Sequence, residues 1–195
     1  SIQPYFDQSK CDHTRIELDQ FVQPQTLSQL IWYYRCCRSE FVHNSTKYAT
    51  TGKGWPLLDK GWIKQEDLIL DYGAGTGQNC FYLKKIGAIP TYFEISIIQM
   101  EFFRFRCERR RINIEIIKPY ILLEEGYKFD PIHSIRGTWD VVLLSQVLEH
   151  IPEPVVLLEY LVNVCLVNGG LILEDTPFCY HDYEDLKSIT TTQFE

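Results

Sequence analysis

The chain has 195 residues, 45% of them hydrophobic and 23% charged, which suits one globular domain with a sizeable core and argues against disorder. Its net charge of −7 disfavours loose binding to nucleic acid or to an anionic membrane surface, both of which need a basic face. No apolar run reaches the length of a membrane span, and no signal-peptide pattern is visible.

Residues 1–25 are polar and irregular, punctuated by Pro4 and Pro24, and read as an arm. Leu27, Leu30, Ile31, Tyr34, Cys37 and Phe41 then recur at helical spacing behind Thr26 as N-cap, so a helix is expected over 27–42. The loop at 43–56 carries Tyr48, Lys53 and Trp55 but lacks GxxxxGK[ST] and a preceding strand, so it is no phosphate-binding loop. After a short helix or turn at 57–67 the chain alternates. Strands are expected at 68–72, 91–95, 112–117, 139–144 and 171–175, with helices at 77–86, 97–110 and 153–166. Strands separated by helices imply right-handed crossovers and a parallel sheet covered on both faces. The continuous apolar runs Val141–Leu144 and Leu171–Leu173 agree with strands buried on both sides.

Pro154 fits the first turn of the helix at 153–166, and Asn168-Gly169-Gly170 reads as its terminator. Arg104, Arg106, Arg109, Arg110 and Arg111 crowd the end of the helix at 97–110. Their first reading is as cations complementing the helix dipole, their second as a patch for an acidic substrate or partner. The seven cysteines, at 11, 36, 37, 80, 107, 165 and 179, form neither a CxxC pair nor a Cys/His zinc spacing. An odd count without a framework points to a reducing, cytoplasmic setting, with Cys80 and Cys165 acting as small apolar residues.

The chemistry concentrates in Leu68-Ile-Leu-Asp71-Tyr-Gly73-Ala74-Gly75-Thr-Gly77, a strand running through an acid into three alternate glycines and a helix. Such a turn lets a ligand approach bare backbone at a helix N-terminus. A nicotinamide fingerprint would need glycine at position 78, which is Gln78, so hydride chemistry is disfavoured. D-x-G-x-G-x-G instead resembles motif I of class I S-adenosylmethionine-dependent methyltransferases. Glu94, at the end of the next strand, agrees: a carboxylate there accepts from ribose hydroxyls and repels a 2′-phosphate. Further on, Asp140-Val-Val-Leu-Leu-Ser145-Gln146-Val-Leu-Glu149-His150, then Gly169-Gly170-Leu and Thr176-Pro177, resemble the ubiquinone- and menaquinone-biosynthesis branch of that family. The resemblance covers roughly residues 66–178.

The resemblance implies a fold and a site. The fold is α/β, a Rossmann-like parallel sheet of order 3-2-1-4-5 with helices on both faces and an N-terminal helical extension. Residues 1–60 form the arm, helix and lid, and 61–195 the cofactor-binding core. Asp71 and the backbone of Gly73, Ala74, Gly75 and Gly77 surround the methionine portion of S-adenosylmethionine. Glu94 holds its ribose, Ile95 flanks adenine, and Ser145 and Gln146 line the pocket near the methionyl end or the sulfonium. The acid that commonly meets the adenine amine is absent from Ile117-Lys118-Pro119. Methyl transfer to a small-molecule acceptor is a direct displacement, which needs alignment and exclusion of water, and a base only if the acceptor loses a proton. His150 and His181 are the candidate bases, with Glu149 and Tyr183 behind them. No metal is expected, because Gln146 replaces the first glutamate of a metal-binding Glu-x-x-Glu-His. The family's last two antiparallel strands are not found before Glu195. That implies a fragment, a shortened sheet, or an edge completed by a missing segment or a partner chain. The alternative to catalysis is a non-catalytic S-adenosylmethionine-binding or assembly module of a larger protein.

Overall fold

A computed structural model describes residues 56–123, 126–151 and 153–175. The helix expected at 27–42, the loop with Tyr48, Lys53 and Trp55, and the segment with Thr176, Pro177, His181 and Tyr183 lie outside the described residues.

A short 3₁₀ turn, Pro56–Lys60, leads to strand β1 (Leu68–Tyr72), helix α1 (Gln78–Lys85), strand β2 (Ile89–Phe93), helix α2 (Ile97–Arg110) and strand β3 (Glu115–Ile117). A two-stranded antiparallel hairpin follows, β4 (Tyr120–Leu123) and β5 (Gly126–Phe129). Strand β6 (Trp139–Leu144), a 3₁₀ turn (Leu148–His150), helix α3 (Pro154–Tyr160), a π turn (Leu161–Cys165) and strand β7 (Leu166–Glu174) complete the described chain.

The five main strands are parallel and ordered β3-β2-β1-β6-β7, which is the expected 3-2-1-4-5 arrangement with the hairpin set aside. Alternate residues of each strand face opposite layers. On one side Leu70, Tyr72, Phe93, Val142 and Leu144 pack with Leu157, Leu161 and Cys165 of α3 and its π turn. On the other side Ile69, Val141, Leu143 and Leu173 meet Leu83 of α1, while Tyr92 meets Met100 and Phe103 of α2. Tyr72 stacks on Phe93 at 4.6 Å, and Tyr92 on Phe103 at 3.9 Å. Two layers of helix on a sheet of near-continuous apolar strands leave the carboxyl ends of β1, β2 and β6 as the place for a site.

Two elements differ from the sequence reading. The helix expected over 153–166 is present, α-helical over Pro154–Tyr160 and π-helical over Leu161–Cys165, but β7 begins at Leu166 rather than Leu171. Asn168-Gly169-Gly170 is a bulge within β7, not a helix terminator. Trp139 pairs with Leu166, yet Val141 pairs with Leu171, so the extra residues are extruded. Gly169 takes a φ of 80°, and a Cβ on Gly170 would lie 3.0 Å from the Asp140 carbonyl. The second difference is the β4–β5 hairpin, which lies in the long connection between the strands expected at 112–117 and 139–144.

Candidate functional site

β1 is the central strand, and the order reverses between it and β6. In open sheets of this type ligands bind in the crevice at that reversal. The glycine turn leaves β1 there. Gly73, Gly75 and Gly77 all have positive φ, of 71°, 54° and 73°. The turn is closed by Gly77 N–H donating to the Ala74 carbonyl at 2.8 Å, and it is pinned to β2 by Ala74 N–H donating to the Phe93 carbonyl at 2.9 Å. Helix α1 starts immediately after Gly77 with no side-chain cap, so backbone alone forms its N-terminal end.

The three glycines serve different ends. A Cβ on Gly73 would press into Val147 at 2.7 Å, and one on Gly77 into the Phe103 ring at 2.1 Å. These two therefore allow close packing. A Cβ on Gly75 would meet only the Gln99 side-chain oxygen, at 3.0 Å.

Glu94 follows β2 directly and is 6% exposed. Its Oε2 accepts from the Gly75 N–H and its Oε1 from the Ser96 N–H, each at 2.8 Å. The carboxylate thus bridges the glycine turn and the entry to α2. Tyr92 supports the same turn from below, its hydroxyl donating to the Gly75 carbonyl at 2.8 Å. Asp71 lies deeper. It is 1% exposed and accepts from the Cys80 Sγ at 3.3 Å. Burial, with the nearby Glu94 charge adding to it, pushes its pKa from 3.8 up to about 7. The carboxyl that the motif presents in sequence is turned under the turn toward α1.

Arg106 is a residue of the site whose role differs from both sequence readings. It does not cap the dipole of α2 from the surface: it is 4% exposed and points inward. Nη1 donates to the Thr76 carbonyl, and Nη2 to the Gln78 Oε1 at 2.8 Å, so the guanidinium grips both ends of the Gly77 step. It also lies over the Phe81 ring at 4.7 Å, with Arg110 over the same ring at 4.6 Å. Burial, then Arg110, lowers its pKa to about 10, which leaves it charged at neutral pH. Its i+4 relation to Phe102 and Arg110 within an apolar stripe was the available signal. Arg106→Met is expected to cost about 2–4 kcal/mol, since Thr76 and Gln78 lose charge-assisted donors. Arg106→Lys should recover little of it, because one ammonium does not reproduce a two-pronged contact. Urea midpoints check this, and a midpoint equal to wild type for Arg106→Met would overturn the assignment.

At the end of β6, Ser145 is half-buried and Gln146 is exposed with a φ of 56°. The Gln146 N–H donates to Asp175 Oδ1 at 3.0 Å and its Nε2 to the Asp175 carbonyl at 2.7 Å. Its amide therefore ties the ends of β6 and β7 together. Glu149 is 5% exposed, and burial with the charges of Asp175 and Glu174 raises its pKa. His150 Nε2 stands 3.8 Å from Glu149 Oε1, with the side chain 40% exposed. Ile95 packs on the core cluster behind Tyr72 and Phe93. The structure thus gathers Asp71, Gly73 to Gly77 and Glu94 into one cluster on the glycine turn. Ser145, Gln146 and His150 follow the neighbouring strand, and His181 lies outside the described residues.

The residues present fit a nucleoside-bearing cofactor with an amino-acid end. Bare backbone at an uncapped helix start suits a carboxylate, and the adjoining Glu94 and buried Gln99 Oε1 are acceptors for hydroxyl donors. Among the described residues no group of three or more His, Cys, Asp or Glu is placed to hold a metal ion. No helix among them is long and apolar enough to cross a membrane.

Comparison with known proteins agrees with this geometry. A methyltransferase domain family matches residues 55–190. A methyltransferase structure from Pyrococcus furiosus is 19% identical, with 78% of this chain and 82% of that one covered at a TM-score of 0.51. Coclaurine N-methyltransferase, solved with N-methylheliamine and SAH, is 21% identical, covering 62% of this chain and 34% of its own at 0.49. A SAM-dependent methyltransferase from Aquifex aeolicus is 20% identical, covering 56% of each chain at 0.45. The chain thus spans about a third of the length of the coclaurine enzyme and a little over half that of the Aquifex one. No curated protein matches it. With the family matched from before β1 to beyond β7, the chain belongs to the methyltransferase domain family and carries its class I, Rossmann-like fold.

Proposed function

We propose that the chain transfers a methyl group from S-adenosylmethionine to a small-molecule acceptor by direct displacement. The observation that carries this reading is the Glu94 bridge across Gly75, set on a three-glycine turn at the start of α1 in a chain of this family. When bound, the cofactor supplies an electrophilic methyl on a sulfonium. The protein's part is to hold, orient and keep dry. Asp71 and the backbone of Gly73, Ala74, Gly75 and Gly77 would hold the methionine end, Glu94 the ribose and Ile95 the adenine, with Ser145 and Gln146 beside the methionyl end. His150 would take a proton from an acceptor that must lose one, with His181 as the second candidate.

Several finer assignments belong to the same proposal. Residues 61–195 act as the cofactor core and 1–60 as arm, helix and lid. The Val147-Leu-Glu149-His150 and Gly169-Gly170-Leu features support placing the chain in the ubiquinone- and menaquinone-biosynthesis branch of the family, in a cytoplasmic setting. The outer side of β7, which has no strand beside it among the described residues, is where a further segment or partner chain would extend the sheet.

Calorimetry with S-adenosylmethionine, S-adenosylhomocysteine and NAD tests the reading. Both sulfur nucleosides should bind in the micromolar range and NAD should not; binding of NAD alone would overturn it. Glu94→Ala should weaken S-adenosylhomocysteine at least tenfold, because it removes the acceptor of two main-chain N–H groups as well as the ribose contact. Labelled methyl transfer against a metabolite extract then separates an enzyme from a binding module.

A further inference from the structure

Gln99 lies in the first turn of α2, where its N–H donates to the N-cap Ser96 Oγ at 3.4 Å. Nothing in the D-x-G-x-G-x-G pattern or in the acid after β2 draws attention to it. The residue is only 9% exposed, and its Oε1 is buried with no hydrogen-bond partner among the described residues. That oxygen stands over Gly75, 3.0 Å from where a Cβ would be. Gly75 is also the residue whose N–H donates to Glu94 Oε2. Two side-chain acceptors, one charged and one neutral, therefore flank a single glycine whose missing side chain leaves room between them.

The chemistry of that pair is selective. A buried acceptor without a donor is costly, so the position favours a ligand that brings donors. An anion would be repelled by Glu94. One hydroxyl can donate to the Gln99 oxygen, while the Glu94 carboxylate, which already accepts from two main-chain N–H groups, keeps further lone pairs for a second. Two hydroxyls on adjacent carbons supply two donors at close spacing, each with a lone pair to spare.

We propose that Gln99 is a second ribose-recognition residue, whose Oε1 accepts a hydrogen bond from one hydroxyl of the cofactor's vicinal diol while Glu94 accepts from the other. The inference rests on the reading of the site as an S-adenosylmethionine site. It makes recognition of the diol a two-residue function, and it gives Gly75 a second reason to be glycine: a methyl there would crowd the oxygen that meets the ligand.

The test is calorimetric, on the full chain, with S-adenosylhomocysteine and its 2′,3′-dideoxy analogue. Gln99→Leu should weaken S-adenosylhomocysteine about tenfold. The same substitution should leave the affinity for the dideoxy analogue unchanged, because the contact it removes needs the hydroxyls. Its thermal midpoint should equal or exceed that of wild type, since the substitution also removes an unsatisfied buried oxygen. Gln99→Met, closer in shape, should repeat the pattern and guards against a packing fault in the first variant. Equal loss for both ligands, or unchanged S-adenosylhomocysteine affinity in both variants, would overturn the inference alone. Wild-type protein that binds no S-adenosylhomocysteine would overturn the reading of the site, and this inference with it.

Discussion

Gly77→Ala is expected to destabilise the protein by about 2–5 kcal/mol, more than the same change at any other glycine of the described residues. Two independent costs add. The backbone sits at a φ of 73°, where an L side chain loses about 1–2 kcal/mol. The new Cβ would fall 2.1 Å from Phe103 Cδ2, and forced repacking of a core typically costs about 1–3 kcal/mol. Phe103 cannot swing aside, since it is fully buried and stacked on Tyr92 at 3.9 Å. In a chain of this size the thermal midpoint should fall by about 10 °C. Gly61→Ala is the matched control: its φ is 77°, but nothing lies within 4 Å of the added atom, so only the backbone cost remains. Adding Phe103→Leu to Gly77→Ala should recover part of the loss. Equal midpoints for the Gly61 and Gly77 variants would show that the contact with Phe103 does not matter.

Asp71→Asn should act in opposite directions on stability and on cofactor affinity. The folded protein raises the pKa of this carboxyl from 3.8 to about 7, so the fold binds its proton more tightly than the unfolded chain does. Stability from this group is fully present below the ordinary carboxylate range and is lost as pH rises through about 7. The full shift corresponds to about 4 kcal/mol, an upper figure for a residue only 1% exposed. Asn carries no such charge and can still accept from Cys80. The variant should therefore match wild type near pH 4 and surpass it progressively up to pH 8, while binding S-adenosylmethionine more weakly, because the cofactor's ammonium loses a counter-charge. Urea melts at pH 5 and pH 8 check the first half and calorimetry the second. A wild-type advantage that grows with pH would refute the burial argument. Opposite signs of this kind are the usual tension at a functional site between stability and activity.

The sequence speaks most clearly where one local rule decides the outcome. The β1 and β6 runs are apolar on both faces, so neither has an alternative to a buried parallel strand. The glycines at 73, 75 and 77 mark the turn because all three take positive φ, which glycine adopts most readily, and at 73 and 77 a side chain would also strike Val147 and Phe103. What stayed hidden depends on contacts between distant positions. Arg106 shares a run with four other arginines and is distinguished from them only by meeting Thr76 and Gln78, 30 and 28 residues away. The Gly169-Gly170 pair obeys the rule for a helix terminator, yet it forms a bulge because Trp139 and Val141 set the pairing of β7. Gln99 is an unremarkable helix residue until α2 is laid across the turn. The hairpin at Tyr120–Phe129 had a turn glycine, Gly126, but no alternation strong enough to announce two strands.

The N–H of Leu68, the first residue of β1, donates at 2.8 Å to the side chain of Asp140 in β6, which lies 72 residues further along. The central strand is thus anchored at its base by a part of the chain that emerges from the ribosome much later. β1, β2 and β3 can assemble with α1 and α2 as soon as they are made, but one long side of β1 stays open until β6 arrives. Pairings of such long reach close slowly and leave strand edges exposed meanwhile. The crevice that receives the ligand is therefore also the seam at which two halves of the molecule join. A nascent chain paused before Trp139 should be the form most in need of a chaperone.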